Sequence, residues 1–258
     1  MAEEAERSRD DPGALARALC RSLAAIADQE MRARALGRRL ADHEPALIAA
    51  ILAVVIEESD RREPGADLLV KAMISPGLRV AWDERLASRV MAHAREAGRY
   101  DLAAMFLEMP PLDARLAVPA PRLARGMSKV PLGVRRAMAR RGDMGLLEHL
   151  LADPDPQVVE HLLNNPRLTQ QEVVTMAARS PVREEVLAAI AGHPRWGGQH
   201  RVRLTLALNP ATPTGLALGL LHLLLEQDLR AIAGDPRLSR VVAGRAAALL
   251  GERAAPAG

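Results

Sequence analysis

The sequence predicts an all-α fold, in which an N-terminal helical region is followed by an irregular right-handed α-solenoid of short helices. Three observations support this fold class. Apolar residues recur at helical spacing and make up 49% of the 258 residues, whereas aromatic residues make up only 2%. No stretch alternates apolar and polar residues for long enough to indicate a set of strands. Prolines recur at regular intervals in the second half of the chain, where they separate short apolar segments.

The chain divides into four predicted parts. Residues 1–12 are polar and acidic and are predicted to be a disordered tail. Residues 13–113 form the N-terminal helical region, residues 114–250 the solenoid, and residues 251–258 a second tail. Residues 1–113 carry 20 acids and 16 bases, while the remainder carries 12 acids and 19 bases. Because these charges are opposite in sign, we expect the two helical parts to share an interface.

Helical periodicity in the N-terminal region begins at Ala14. Pro45 suits the first turn of a strongly apolar helix that ends near Glu58. Further helices are predicted over residues 32–41, 66–74, 83–98 and 101–109, and the sequence Ser75-Pro76-Gly77 is predicted to end the second of these.

Two apolar runs, residues 46–56 and 215–225, are too short to cross a bilayer, which requires about 20 residues. Both are predicted to be buried helices. The acidic N-terminus lacks the apolar segment of a signal peptide, and Cys20 is the only cysteine. We therefore expect a cytoplasmic protein that does not interact with membranes. Cys20 is expected to be a small core residue rather than a nucleophile.

An internal repeat marks the C-terminal half. Residues 147–154 recur as residues 159–166, and residues 188–194 recur as residues 230–236. Each copy is a short amphipathic helix followed by Asp, Asn or His and then Pro, and the prolines stand at positions 154, 166, 181, 194, 210 and 236. The residue before a proline is excluded from the helical region, so each helix ends there. An Asp or Asn at that position is expected to accept hydrogen bonds from the next turn.

A capping box and the apolar faces complete the prediction for these helices. Thr169 and Glu172 have the spacing at which the two side chains and backbone N–H groups bond reciprocally at a helix start. Each short helix has one apolar face, which includes Leu162 and Leu163 in one copy, and buries that face only by stacking on its neighbours.

The Asp/Asn–Pro punctuation and the alternation of shorter and longer helices resemble the leucine-rich-repeat-variant class and, more broadly, bacterial HEAT-like α-solenoids. The resemblance covers about residues 131–250, and the repeat units are spaced less regularly along the chain than in a regular repeat array. It implies an interaction surface as the function. The iron–sulfur module of some leucine-rich-repeat-variant proteins needs a cysteine cluster, so with Cys20 alone no cofactor is expected.

The sharpest local feature is a basic segment, residues 114–141, which contains eight positive residues and no acid. Like charges four residues apart on a helix repel each other, and an acidic partner would relieve that cost. We predict partner binding by seven of these residues: Arg122, Arg125, Lys129, Arg135, Arg136, Arg140 and Arg141. A protein with an acidic surface is the expected partner. A nucleic-acid backbone and a merely solvated face are the alternatives. A second acid-free stretch, residues 186–225, is expected to extend this surface or to consist of buried helices.

Other chemistries have little support in the sequence. Glu148–His149 and Glu160–His161 lack the helical spacing of a metal-ligand pair, so no metal site is expected. Phosphate-loop, nucleophile-elbow and zincin motifs are missing. Trp196, in a glycine-flanked loop, leaves open a HEAT-like glycosylase that acts on alkylated bases, provided that the ring is exposed beside a carboxylate. The other interpretation of Trp196 is a loop residue packed on the next repeat. The leading hypothesis is a non-enzymatic interaction scaffold, with sequence-independent nucleic-acid binding as the alternative.

Overall fold

The computed structural model describes residues 11–106, 127–142 and 144–254, and the regular secondary structure of these ranges is helical, without strands. The all-α prediction is therefore confirmed for them. Residues 11–106 form α1 (Pro12–Ala24), α2 (Gln29–Ala41), α3 (Pro45–Asp60), α4 (Ala66–Met73), α5 (Pro76–Val80), α6 (Glu84–Glu96) and α7 (Tyr100–Met105). The predicted boundary between residues 113 and 114 lies outside the described residues.

The C-terminal half begins with a 3₁₀ turn (Met127–Lys129) and continues through nine helices in the described ranges. These are α8 (Leu132–Arg141), α9 (Met144–Leu150), α10 (Pro156–Leu163), α11 (Gln170–Ala177), α12 (Glu184–Gly192), α13 (His200–Ala207), α14 (Thr214–Leu221), α15 (Glu226–Ala233) and α16 (Arg240–Ala254).

Regular helices extend into both segments that the sequence analysis assigns to tails. The Asp11 carboxylate accepts hydrogen bonds from two backbone N–H groups of the first turn of α1, at 3.2 and 2.9 Å, and Pro12 occupies that turn. This cap starts the helix inside the predicted tail. At the other end, α16 continues to Ala254. The described helices therefore include Pro12 and residues 251–254, which the prediction assigned to tails, while residues 1–10 and 255–258 lie outside the described part.

Helix α5 is an element that the sequence analysis missed. The sequence Ser75-Pro76-Gly77 ends α4 as expected, but it also starts a new helix at once. The Glu30 carboxylate accepts a hydrogen bond from the Ser75 hydroxyl at 2.6 Å and another from the Gly77 N–H at 3.2 Å. A side chain from α2 therefore satisfies the donors of this helix start, which no local pattern could reveal.

Helix α3 forms the centre of the N-terminal part, where it packs against α1, α4 and α6. Its large apolar residues that face this core are fully buried, in agreement with the prediction of a buried helix: Ile48, Ile51, Leu52, Val55 and Ile56. Cys20 lies in the same core, where burial raises the pKa of its thiol to about 11. The expectation of a core cysteine is confirmed.

Helices of the C-terminal half pack against the helix two positions further along the chain as well as against the next one. Thus α8 contacts α10, α10 contacts α12, and α11 contacts α13. The Asn165 side chain, just beyond α10, donates to the carbonyl of Ala139 in the last turn of α8 at 2.9 Å. Asn209, just beyond α13, likewise donates to the Ala177 carbonyl at the end of α11 at 2.7 Å. Because their C-terminal ends meet, the helices of each pair run in the same direction.

The last helices close against the N-terminal part. Helix α14 packs on α7 and α4, and α16 packs on α14 and α15. Two glycines permit the close approach: a Cβ on Gly215 would lie 2.6 Å from the Met105 carbonyl oxygen, and one on Gly219 would lie 2.1 Å from Ile74 Cγ2. The interface expected from the opposite charges of the two parts is present here. In the described ranges, no helix combines the length and apolar character needed to cross a membrane.

Candidate functional site

The residues before the repeat prolines stabilise their own turns, and two of them also bond to an earlier helix. Asp153, Asn165, Asn209 and Asp235 each accept a hydrogen bond from the backbone N–H two residues later, at 2.9–3.0 Å. This confirms the predicted role of an acceptor before proline. The two Asn side chains also donate to carbonyls at the end of an earlier helix, where the helix leaves those groups without a partner. The sequence analysis did not anticipate this second role.

Trp196 and Arg195 join the turn after α12 to the turn after α10. The Trp196 indole N–H donates to the Leu163 carbonyl at 2.8 Å, and its side chain is buried. Arg195 donates to the carbonyls of Asn165 and Leu168 at 3.3 and 3.2 Å, and its guanidinium lies 4.1 Å from the centre of the Trp196 ring. The glycosylase hypothesis requires an exposed Trp196, and the structure places this ring against the neighbouring repeat instead.

Four exposed arginines lie at or just beyond the helix ends that these hydrogen bonds connect. Arg140 and Arg141 end α8, Arg167 follows the turn after α10, and Arg195 lies in the turn after α12. We call these four residues the basic edge. All four are exposed, and none forms an ion pair with a carboxylate of the described residues. Asp143, which follows α8 in the sequence, lies outside those residues.

Helix termini explain part of this arrangement. The C-terminal end of a helix carries partial negative charge, which favours a nearby cation by roughly 0.3–1 kcal/mol. Arg140 and Arg141 lie in the last turn of α8, where such a charge is favourable, whereas the Arg195 guanidinium contacts carbonyls of the turn after α10. None of the four cations of the basic edge pairs with a described carboxylate.

The seven predicted partner-binding residues are separated by the fold. Arg122 and Arg125 lie outside the described residues. Lys129 is exposed in the 3₁₀ turn, and Arg140 and Arg141 are exposed at the end of α8. Arg136 is half-buried, with its guanidinium 3.7 Å from Asp155.

Arg135 is the prediction that the structure corrects. Its side chain is buried and donates to the Asp153 carboxylate at 2.8 Å. The Asp153 side chain is fully inaccessible, and burial raises its pKa despite the neighbouring guanidinium. Arg135 thus holds α8 against the turn after α9 and is not available to a partner. Helical rotation places Arg135 and Arg140 in different environments, although both belong to the same basic segment.

The sequence analysis missed Arg167 as a member of this surface and treated Arg195 only within the second acid-free stretch. The signal was present in the repeat itself, because both residues directly follow a repeat proline. Arg237 has the same position, but it forms a bidentate pair with Asp235, with distances of 3.0 and 2.6 Å. Arg237 follows Asp235-Pro236, whereas Asn165 and His193 precede the prolines before Arg167 and Arg195, so only Arg237 has a carboxylate at this position to pair with.

His193 lies between these cations in a neutral form. Its Nδ1 accepts the Arg195 backbone N–H at 3.2 Å, and its Nε2 lies 3.4 Å from the Asn164 side-chain oxygen. Burial lowers the pKa of His193, Arg195 lowers it further, and Glu160 acts in the opposite direction. The neutral tautomer with its proton on Nε2 satisfies both contacts.

A groove lies between the C-terminal ends of α9 and α11. Helices α9 and α11 lack the close packing that joins α11 to α13, and a cavity of about 520 Å³ lies between their C-terminal ends. Its lining is mixed, with apolar residues such as Met176 and Val186 beside the exposed Arg179. Among the described residues, no group of three or more His, Cys, Asp or Glu side chains is arranged to hold a metal ion.

The basic edge is an exposed, positively charged surface on the described part of the chain. No protein-family model matches the chain, and comparisons with curated proteins and with solved structures give no significant match.

Proposed function

We propose that this protein is a non-enzymatic interaction scaffold whose basic edge binds an acidic surface of a protein partner. The expected irregular right-handed α-solenoid, its resemblance to HEAT-like and leucine-rich-repeat-variant proteins, and a cytoplasmic location all belong to this proposal. The observation that carries it is the alignment of Arg140, Arg141, Arg167 and Arg195 along hydrogen-bonded turns, exposed and without a described carboxylate partner.

Rigidity supports the proposal. Two carbonyls and the Trp196 ring hold the Arg195 guanidinium, so this long side chain is largely ordered before a partner arrives. Ordering a rotamer-rich side chain on binding costs about 0.5–1.5 kcal/mol, and a preordered cation avoids much of that cost. Of the four residues of the basic edge, Arg195 is the one that has this support among the described contacts. Outside the basic edge, Arg85 is exposed on α6 and has no ion-pair partner in the described ranges.

The same surface suits a nucleic acid less well. Proteins that bind single strands without sequence preference combine cations with aromatic side chains on which bases stack, each worth about 1–3 kcal/mol. The aromatic ring at the basic edge is that of Trp196, which is 2% exposed. Trp196 therefore offers no exposed face on which a base could stack.

Affinity capture from native lysate, with and without nuclease, tests the proposal. The tagged protein should retain a stoichiometric protein partner after nuclease treatment. The variant Arg140→Glu/Arg141→Glu/Arg167→Glu should lose that partner, and Arg195 is left intact because it also supports the fold. A matched control, Arg21→Glu/Arg38→Glu/Arg85→Glu, reverses three exposed cations of the N-terminal part and should retain the partner.

Two results would contradict the proposal. Capture that disappears on nuclease treatment would indicate nucleic-acid binding, and its affinity should then fall about 10³–10⁵-fold between 50 and 200 mM salt if six to ten phosphates are neutralised. Capture that is equally strong in the edge variant and the control variant would move the interface elsewhere on the molecule.

A further inference from the structure

We infer that the turn after α14 carries a binding site for a phosphate dianion, free or as the monoester of a small molecule, formed by Arg62, Arg203 and Arg253. This site is separate from the basic edge and goes beyond the proposed function. The inference follows from three guanidinium groups that meet at one turn and from the positive charge that they leave there without a counterpart.

The three guanidinium groups come from distant parts of the chain and donate to neighbouring carbonyls of this turn. Arg62, two residues beyond α3, donates to the Leu224 carbonyl at 2.8 Å, and Arg253, in the last turn of α16, donates to the same oxygen at 2.8 Å. Arg203, in α13, donates to the Leu223 carbonyl at 3.4 Å. Because two of the groups share one acceptor, their donor nitrogens are separated by no more than the lengths of the two hydrogen bonds together.

The charges around this turn do not balance. In the described ranges, Asp60 is the carboxylate that pairs with these groups, 3.1 Å from Arg253. Three guanidinium groups and one carboxylate leave an excess of two positive charges. The His222 ring, which also contacts Asp60, is neutral or positive and does not offset this excess. A bound dianion would neutralise it.

Burial makes this excess unfavourable. The Arg253 side chain is 9% exposed, and the Nε atoms of Arg203 and Arg253 are buried without a hydrogen-bond partner among the described residues. Burial lowers the pKa of Arg203, Asp67 raises it, and Arg62 lowers it again, so the guanidinium groups of Arg62 and Arg203 lie close enough to repel each other. Since buried charges in proteins are generally paired, an anion bound at this turn would stabilise the folded chain.

Arg62 provides the access from solvent. It is exposed, and its φ of 63° lies in the left-handed region, which residues other than glycine adopt rarely. Backbone conformations of this kind cluster at ligand-binding sites. Its Nη2 donates to the Leu224 carbonyl, and its other donors have no described acceptor, so they remain available to a ligand.

A phosphate group fits this site better than a second carboxylate. A phosphate monoester carries a charge of about −1.5 to −2 at pH 7, close to the excess at the turn, whereas a carboxylate carries one. Its oxygens also accept hydrogen bonds from more than one guanidinium group, and arginine binds phosphate in a bidentate manner.

Isothermal titration calorimetry of the full chain at constant ionic strength tests the inference, with inorganic phosphate, glycerol 3-phosphate and acetate as the probes. Inorganic phosphate should bind and acetate should not. If glycerol 3-phosphate binds as well, the ligand is a phosphomonoester; if it does not, the ligand is the free ion. Binding should persist in Arg140→Glu/Arg141→Glu/Arg167→Glu, because the basic edge is a different surface.

Arg62→Asn should weaken phosphate binding by about tenfold, because it removes a charged donor while asparagine tolerates the left-handed backbone. Arg61→Asn, at the adjacent exposed position, is the matched control and should change the dissociation constant by less than about twofold. Glu63→Gln removes the acid that follows Arg62 in the sequence and should not weaken binding.

The melting temperature gives a second measurement. Phosphate should raise it relative to acetate in the parent chain and in Arg61→Asn, and should have little effect in Arg62→Asn. Circular dichroism establishes that the variants are folded.

Three results would overturn the inference: no binding of phosphate, equal binding of phosphate and acetate, or equal losses in Arg61→Asn and Arg62→Asn. Phosphate binding that disappears in the basic-edge variant would also overturn it, because the anion would then lie on that edge. The proposed function does not depend on any of these results, since capture of the partner tests it separately.

Discussion

The Nδ1 atom of His222 lies 2.9 Å from a carboxylate oxygen of Asp60, a residue 162 positions earlier in the chain. His222 is fully buried, and Arg253 donates to the same carboxylate at 3.1 Å and to the His222 carbonyl at 3.2 Å. One acidic side chain at the end of α3 thus connects the turn after α14 with the last turn of α16. This cluster joins the N-terminal helices to the last helices of the C-terminal half.

Replacement of Asp60 by Ala should therefore destabilise the protein strongly. Removal of the carboxylate leaves the buried His222 without its side-chain partner and leaves the Arg253 guanidinium with backbone carbonyls as its contacts but without this counter-charge. We expect a loss on the order of 3 kcal/mol in the free energy of unfolding. Urea denaturation measures this loss. Asp67→Ala is a suitable control, since the Asp67 side chain is about half exposed and pairs with Lys71 of the same helix, α4. An ion pair of this i,i+4 kind contributes about 0.5 kcal/mol or less, so this variant should change stability by a similarly small amount. Similar values for the two variants would mean that the cluster does not stabilise the closed arrangement.

Gly215 and Gly244 should respond in opposite ways to replacement by Ala. A Cβ at Gly215 would lie 2.6 Å from the Met105 carbonyl oxygen, so α14 and α7 must separate, at a cost of about 1–3 kcal/mol. Gly244 is exposed within α16 and has open space around it, so Ala should stabilise that helix by about 0.5–1 kcal/mol. Thermal unfolding of both variants provides the comparison. A Gly215→Ala variant as stable as the parent chain would exclude the close packing of α14 on α7.

The stability of the protein should decrease as the pH falls below about 6.5, in part because of His193. Burial holds the pKa of His193 below its ordinary value, so the unfolded chain binds a proton at a pH where the folded chain does not. Protonation would also remove the acceptor of the Arg195 N–H. His193→Asn keeps a side-chain acceptor before the proline, as Asn165 and Asn209 do, and should reduce this pH dependence.

Urea midpoints for the parent chain and His193→Asn between pH 7.5 and 5 test this effect. His149→Asn, at an exposed position of α9, serves as the control and should keep the dependence of the parent chain. An unchanged slope in His193→Asn would assign the acid sensitivity to other groups.

Replacement of Leu162 by Asp should be far more damaging than replacement of Pro166 by Ala. Leu162 is fully buried between repeats, and an unpaired carboxylate there should cost more than about 4 kcal/mol. Pro166 is exposed and mainly restricts the unfolded chain, so its loss should cost about 1 kcal/mol or less. Val134→Asp, at a side chain that is 49% exposed on α8, controls for the introduction of an acid. An unchanged melting temperature in Leu162→Asp would show that the repeat-core assignment is wrong.

Local signals in the sequence predicted much of the helical structure. The capping box is present as expected: the Thr169 N–H donates to Glu172 at 2.7 Å, and the Glu172 N–H donates to the Thr169 hydroxyl at 3.3 Å. The helix ends before the repeat prolines and the burial of Leu162 and Leu163 are also confirmed. Helix α5 was missed because the side chain that caps it, Glu30, comes from another helix.

The candidate site was predicted only in part. A run of basic residues indicated a charged surface, and Arg140 and Arg141 are exposed as that required. Arg135 is buried against Asp153, while Arg167 and Arg195 join the surface from later repeats. Linear charge counting could not separate these cases, because exposure depends on which side of α8 faces α10.

The sequence by itself determined where helices end and which side chains are apolar, since proline geometry, capping and helical periodicity act within a few residues. Tertiary structure alone decided which cations face solvent, where Trp196 lies, and how Asp60 meets His222. The reason is physical: burial and electrostatic pairing depend on groups that are distant in the chain, and only packing brings those groups together.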